Sequence, residues 1–227
     1  LIKQKYPDYP IVTYVNCTAE VKAECHITCT SSNAAQVVEA IAKEWKSDTV
    51  IMVPDQYLAK NVAAQTDIRI LTWPGACEVH ELFSADDVNQ LREAHPGVVI
   101  LAHPECPPDV LEAADFAGST SALANYVSEN SPSKVVLLTE CSMSDNVAAV
   151  NPNVNFIRPC NLCPHMKRIT LENIYDCLVT GKYEVKIPED VRVRAKQALD
   201  AMMALPKMER PLAFETGLKP LDVEMVM

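Results

Sequence analysis

The sequence predicts an α/β fold of repeated strand–helix units with small parallel sheets, and three observations predict it. Short apolar runs of strand length alternate with stretches of helical period across residues 11–157. The same order of elements occurs twice, as a duplicated unit would give. Residues at matching places also echo one another. Asp55-Gln56-Tyr57-Leu58-Ala59-Lys60-Asn61-Val62-Ala63-Ala64 matches Glu140-Cys141-Ser142-Met143-Ser144-Asp145-Asn146-Val147-Ala148-Ala149 in its leading acid, its spacing and its Asn-Val-Ala-Ala ending.

Residues 1–9 form a charged, helix-compatible stretch that leads into a strand. The first copy then reads as strand 11–15, helix 18–24, strand 26–30, helix 33–45, strand 49–53, helix 56–65 and strand 68–72. The second reads as helix 85–94, strand 98–102, helix 108–114, strand 116–118, helix 121–130, strand 134–139, helix 143–150 and strand 154–157. After Pro159 the alternation stops, leaving a helix over 171–180, a charged connector over 181–188, a helix over 189–204 and a tail without strong periodicity. These divisions give a first unit over 1–78, a second over 79–159, and a segment over 160–227 with a cysteine loop and two helices whose apolar faces need a surface to pack on.

Composition excludes several function classes. Of 227 residues, 48% are hydrophobic and 22% charged, which is ordinary for a globular chain with a sizeable core. A net charge of −10 argues against nucleic acid as the main partner, because phosphate binding draws its affinity from Lys and Arg. No apolar run approaches the roughly 20 residues that span a bilayer, and the N-terminus lacks a signal-peptide pattern, so no membrane partner and a cytoplasmic location are expected. Nine cysteines, an odd number scattered through strand-like and helix-like segments, favour thiols, metal ligands or cluster ligands over disulfides. The chain begins with Leu rather than Met, and we expect a preceding part to be missing.

Three cysteine strings follow strand-like runs: Gly75-Ala76-Cys77-Glu78-Val79-His80, His103-Pro104-Glu105-Cys106 and Cys160-Asn161-Leu162-Cys163-Pro164-His165-Met166. Strand ends of parallel sheets are where ligands bind. Cys77 and His80 could serve a metal, or be a core thiol beside a surface histidine. Cys160-x-x-Cys163-Pro164 could be a zinc half-site, a redox pair or a cluster loop. Single cysteines from different repeats suit a cluster better than zinc, for which a second paired half-site is missing. Glu105 and His103 could face a ligand, or Glu105 could cap the helix near Pro108. Tyr14-Val15-Asn16-Cys17 falls opposite the His103 string, and Thr30-Ser31-Ser32 opposite Ser119-Thr120-Ser121. The serines and threonines precede helices, so they could hold phosphate or carboxylate groups, or simply cap.

Taken together, these strings resemble the quinolinate synthase family, with Pro54-Asp55-Gln56-Tyr57-Leu58, Cys29-Thr30-Ser31-Ser32-Asn33-Ala34 and Cys163-Pro164-His165-Met166 among the matching motifs from about residue 10 to about residue 200. The resemblance implies repeated three-layer α/β/α domains about a pseudo-threefold axis, of which two of three are present. The helices of 160–227 would then pack on the missing first domain. It implies a [4Fe-4S] cluster with one cysteine from each domain, here Cys77 and Cys163, with the third ligand outside the chain and Cys160 a weaker candidate. By position, Glu105, His103 and Tyr14 resemble catalytic residues. Tyr14, Asn16, Ser31, His80, His103, Glu105, Ser119, Thr120 and Met166 resemble substrate-site residues. The implied reaction, a transferase type, condenses iminoaspartate with dihydroxyacetone phosphate to quinolinate in NAD biosynthesis, with a cluster iron as Lewis acid. L-aspartate oxidase or aspartate dehydrogenase would be the upstream enzyme, and a homodimer is compatible with it. The chain alone is expected to be inactive. The competing readings are a non-catalytic protein binding zinc through Cys160, Cys163 and His165, and a metal-free α/β protein binding a phosphorylated metabolite.

Overall fold

The computed structural model describes residues 1–207, 213–214, 216 and 223–226. The first unit contains α1 (Ile2–Lys5), β1 (Ile11–Tyr14), α2 (Ala19–Ala23), β2 (Ile27–Cys29), α3 (Ala34–Trp45), β3 (Thr49–Val53), α4 (Gln56–Ala63) and β4 (Arg69–Thr72). The second contains α5 (Ala85–Ala94), β5 (Val99–Ala102), α6 (Pro108–Ala113), β6 (Phe116–Gly118), α7 (Thr120–Asn130), β7 (Lys134–Leu138), α8 (Ser142–Val150) and β8 (Asn155–Ile157). They are followed by α9 (Leu171–Thr180), α10 (Glu189–Met203), β9 (Ala213–Phe214) and β10 (Glu224–Met225).

The strands are apolar on both faces because both faces are covered. β3 buries Thr49, Val50, Ile51 and Met52, and β7 buries Val135, Val136, Leu137 and Leu138. Continuous apolar runs of this kind belong to parallel sheets with helices on each side. The helices meet them with amphipathic faces. In α3 the buried residues are Ala34, Ala35, Val37, Val38, Ile41 and Ala42, a helical spacing that turns one stripe inward, and the helix ends where Lys46 takes a left-handed conformation at φ 53°.

The duplication read from the sequence is realised strand for strand. The first sheet has the order β10-β4-β3-β1-β2 and the second β8-β7-β5-β6-β9. Within each, the four strands of the repeat run parallel, for example with Val12 opposite Ile27 and Met52, and Leu101 opposite Phe116 and Leu137. In each copy the chain moves outward from the first strand on one side and then returns to its other side. That creates a topological switch point between β1 and β3, and again between β5 and β7, with a crevice at the strands' carboxyl ends. Tyr14 ends β1, and the His103 to Glu105 turn follows β5.

One core runs through both units. Val12, Val38, Met52, Leu58 and Val62 of the first unit join Ile100, Val110, Leu111 and Leu138 of the second in a single buried cluster. Separate smaller clusters cover the outer faces of the two sheets. Asn61 of α4 ties the units further: its amide donates to the carbonyls of Pro104 at 2.8 Å and Cys106 at 3.0 Å, both in the turn after β5. The two C-terminal helices differ. α10 has a surface within the chain, packing on α2 and β2, burying Ala195 and Ala198 and accepting a hydrogen bond from Thr28 Oγ1 at the Ala198 carbonyl, 3.3 Å away. α9 buries none of its residues, and Leu171 and Leu178 are 81% and 82% exposed. The tail, in which no periodicity was expected, contributes β10 in parallel to β4 and β9 in antiparallel to β6.

Candidate active site

Tyr14, His80, His103 and Glu105 come from three places in the chain and meet in one locus, where the histidines and Glu105 are buried and Tyr14 is partly buried. β1 delivers Tyr14, the turn after β5 delivers His103 and Glu105, and a short 3-10 turn at His80–Leu82 delivers His80. Glu105 Oε2 lies 3.2 Å from His103 Nδ1, 3.5 Å from the Tyr14 hydroxyl and 3.6 Å from His80 Nδ1. The imidazoles of His80 and His103 stack with centroids 4.6 Å apart. Thr139, the residue after β7, pairs its hydroxyl with His80 Nε2 at 2.9 Å. His80 Nδ1 is buried with no hydrogen-bond partner among the described residues, so the ring offers an uncommitted nitrogen to the locus. Glu105 does not cap the following helix; Pro107 occupies the N-cap of α6.

Burial sets the charges here. It pushes the Glu105 carboxyl up to about 8, helped by the nearby charge of Asp55 and opposed by the Tyr14 hydrogen bond. Burial pulls His80 down to about 4, and burial together with His80 holds His103 well below the usual histidine range. Tyr14 is held far above the ordinary tyrosine range, by burial first and the Glu105 charge second, with a hydrogen bond to Ser31 acting the other way. At neutral pH the contacts between Glu105 and the two histidines, though at ion-pair distance, therefore join neutral groups. The backbone amide of Glu105 donates to His103 Nδ1 at 3.4 Å, so that nitrogen is an acceptor. Perturbed titratable groups gathered at a switch-point crevice are the usual mark of an acid–base site.

The cysteines sort into distinct classes. Cys77 is free and half-buried, and its sulfur lies with His80 and a Glu105 oxygen in a set whose ligand atoms are all within 4.8 Å of one another. Burial pushes its thiol up, against the pull of the His80 amide. Cys163 is also free and half-buried, and the Met166 amide points at its sulfur from 3.5 Å. Cys106 is fully buried and its Sγ donates to the Leu138 carbonyl at 3.4 Å, a packing role. Cys160 corrects an expectation: it forms a disulfide with Cys141, 19 residues away, so the preference for thiols fails there. Spacing could not reveal this, because the pair meets only in the fold, where the loop after β8 returns to the residue before α8 and the Cys141 amide donates to the Asn161 carbonyl at 3.0 Å. With Cys160 bonded and His165 paired to Glu78 at 3.1 Å, the zinc set of Cys160, Cys163 and His165 is not available as drawn from the sequence.

Two acids outside the expected set hold the cysteine loops. Asp55 caps α4, accepting from the Leu58 amide at 2.6 Å with Oδ1 and from the Cys77 amide at 2.9 Å with Oδ2. Burial lifts its pKa to about 6 while these amides pull it down. Glu140 accepts from the Ser142 amide at 2.8 Å and the Cys163 amide at 3.4 Å. Both acids head the matched segments of the internal repeat, which is the signal by which sequence could have found them. Thr139 had no such signal.

The remaining expected residues lie around this centre in varied settings. Ser31 is buried behind Tyr14. Asn33, the residue before α3, turns its side chain back to the Thr30 amide at 2.7 Å rather than capping the helix. Ser119 is buried and caps α7 through the Ala122 amide at 3.3 Å, with Thr120 exposed beside it. Asn16 and Met166 are exposed. A cluster held by cysteine thiolates suits what is present: Cys77 and Cys163 are free thiols on equivalent loops, and the uncommitted His80 nitrogen and the Glu105 carboxyl stand beside Cys77.

Comparison with known proteins follows this geometry. The family model described as "Quinolinate synthetase A protein" matches residues 1–204. The chain is 55% identical over 228 residues to a quinolinate synthase of Caulobacter vibrioides (strain NA1000 / CB15N), covering 100% of this chain and 62% of that protein. It is 57% identical over 205 residues to quinolinate synthase 2 of Mesorhizobium japonicum, with 90% and 62% covered, and 57% identical over 205 residues to a quinolinate synthase of Xylella fastidiosa (strain 9a5c), with 90% and 59% covered. The chain thus spans about three fifths of the length of these relatives.

Proposed function

The chain belongs to the quinolinate synthetase A protein family, and from that premise we propose that it supplies active-site residues of a quinolinate synthase. The reaction is the condensation of iminoaspartate with dihydroxyacetone phosphate to quinolinate, with release of phosphate and water. Cys77 and Cys163 would hold a [4Fe-4S] cluster together with a third thiolate from outside this sequence. Such a cluster keeps one iron free to act as a Lewis acid toward substrate oxygens.

The chain's own residues carry the proton chemistry. Forming an imine and losing water both require a proton delivered to a departing hydroxyl and another removed from nitrogen or carbon. Glu105, protonated at neutral pH with its carboxyl at about 8, is a general acid close to the working pH, where such a group is most effective. Neutral His103 and His80 can accept a proton and return it, and Thr139 fixes the His80 ring with Nδ1 facing inward. Tyr14 stays a phenol and donates to Glu105, steadying the carboxylate once its proton has left. Ser31, Ser119 and Thr120 would bind phosphate or carboxylate, with Asn16 and Met166 at the substrate's edge. The imine is supplied by L-aspartate oxidase or aspartate dehydrogenase. We place the enzyme in the cytoplasm, where a homodimer is compatible with it; among the described residues no helix is long and apolar enough to cross a membrane.

The observation that carries this reading is the gathering of Tyr14, His80 and His103 around one oxygen of the buried Glu105 carboxyl, beside the free thiol Cys77. The test is anaerobic reconstitution of the complete gene product with iron and sulfide, followed by metal analysis and assay of quinolinate. Iron with sulfide, turnover, and loss of the cluster absorption in Cys77→Ser and Cys163→Ser are expected. A normal cluster in either variant would overturn the ligand assignment, and zinc without sulfide would overturn the cluster.

A further inference from the structure

We propose that Asp55 and Glu140 are paired positioning residues, one per repeat unit, each splitting its carboxylate between the start of a helix and the backbone amide of a cysteine. The inference rests on reading Cys77 and Cys163 as cluster ligands and adds what aims them.

The argument is the recurrence of a whole hydrogen-bond set at equivalent positions. In the first unit Asp55 follows β3, gives one oxygen to the Leu58 amide of α4 and the other to the Cys77 amide in the loop after β4. In the second, Glu140 follows β7, gives Oε2 to the Ser142 amide of α8 and Oε1 to the Cys163 amide in the loop after β8. The next residue in each case, Gln56 or Cys141, donates its amide to the carbonyl two residues before the cysteine: Gly75 at 2.7 Å, Asn161 at 3.0 Å. Each cysteine carbonyl then accepts from the amide four residues on, Glu81 at 3.0 Å and Lys167 at 3.1 Å, opening the 3-10 turns at His80–Leu82 and Met166–Arg168. Helix, acid and cysteine loop are thus one device used twice. Both acids are buried, at 5% and 9% exposure, where a lost acceptor is not replaced by water.

A carboxylate is required because two acceptors are used. Asn at 55 or Gln at 140 keeps one acceptor oxygen and sets an NH2 against the other N–H. Asn is a good helix cap, so the helix start survives and the cysteine amide is the group released. Partners that orient the ligands of a metal are part of what sets its affinity and properties. The acids also place negative charge beside the cluster loops, which lowers a cluster's reduction potential.

The test compares Asp55→Asn and Glu140→Gln with Asp87→Asn, whose carboxylate accepts from the Ser84 amide at 2.8 Å at the start of α5 and serves no cysteine loop. In the metal-free chain, amide exchange at Cys77 should quicken about tenfold in Asp55→Asn only, and at Cys163 in Glu140→Gln only, the scale of one lost charge-assisted hydrogen bond. In the reconstituted complete gene product, iron should be stripped by chelator about tenfold faster in each, and the midpoint potential should move upward; Asp87→Asn should change neither. Unchanged exchange at a variant's own cysteine, or equal quickening at both loops in all three variants, overturns the anchoring. A wild type that takes up no cluster overturns the ligand reading instead, and the exchange arm still decides the anchors.

Discussion

Glu105→Gln should stabilise the metal-free chain, and by more as pH rises. A carboxyl moved from 4.5 to about 8 keeps its proton in the folded state while releasing it in the unfolded state. Below about pH 4.5 the group is protonated in both states, and Glu105 and its Gln replacement are equivalent in charge. Between there and about pH 8 unfolding releases a proton, so the wild type loses stability at roughly 1.4 kcal/mol per pH unit, approaching about 5 kcal/mol in total as an upper bound. Gln has nothing to release and does not follow that slope. Urea unfolding of both chains from about pH 4 to about pH 9 reads the difference directly, each midpoint being converted to free energy through its slope on denaturant. Asp55 titrates in both chains and cancels to first order. A stability gap that stays flat over this range, or that widens toward low pH, would refute the account of Glu105 as a neutral buried acid.

Three further outcomes follow from the same geometry. Asn61→Ala removes both donors from the Pro104 and Cys106 carbonyls and should cost about 2–4 kcal/mol by urea unfolding, since two buried acceptors lose their partners; a cost under about 0.5 kcal/mol would mean the turn holds itself. Gly75→Ala places a methyl 2.5 Å from the Pro54 carbonyl oxygen, which is backbone and cannot rotate away, so about 1–3 kcal/mol should be lost together with Cys77 loop order, measured by unfolding and amide exchange. Thr139→Val should free His80 Nε2 and change its tautomer balance, visible in imidazole nitrogen shifts, while an unchanged spectrum would remove Thr139 from the site.

Much of the fold is legible in the sequence because the strands are buried on both faces and the helices on one. β3, α5, β6 and α9 begin and end where periodicity places them, and the others shift by a residue or two at frayed ends. Tail strands β9 and β10 are not legible: two residues each, they exist only because β6 and β4 offer an edge. The disulfide of Cys141 and Cys160 is invisible for a similar reason, being set by tertiary packing. At the site, the motif strings single out Tyr14, His80, His103 and Glu105 as candidates, but nothing in them says that the first three would gather on one oxygen of the fourth. Thr139 stays hidden because a lone threonine after a strand carries no pattern. Asp55 and Glu140 are half visible, singled out by the repeat but not by what their second oxygen does.

The amide of Asn61 and the core it sits beside bear on how independent the two halves are. The two repeats do not keep separate cores, since buried residues of both fall in one cluster. Residues 1–78 cut free would lose the packing of α4 on α6, and the partner half would lose the two bonds that shape its acid-bearing turn. Exchange of one half between relatives would therefore succeed only when the α4 face travels with the turn it was fitted to. The halves share one strand order, and the seam between them ties each to the other.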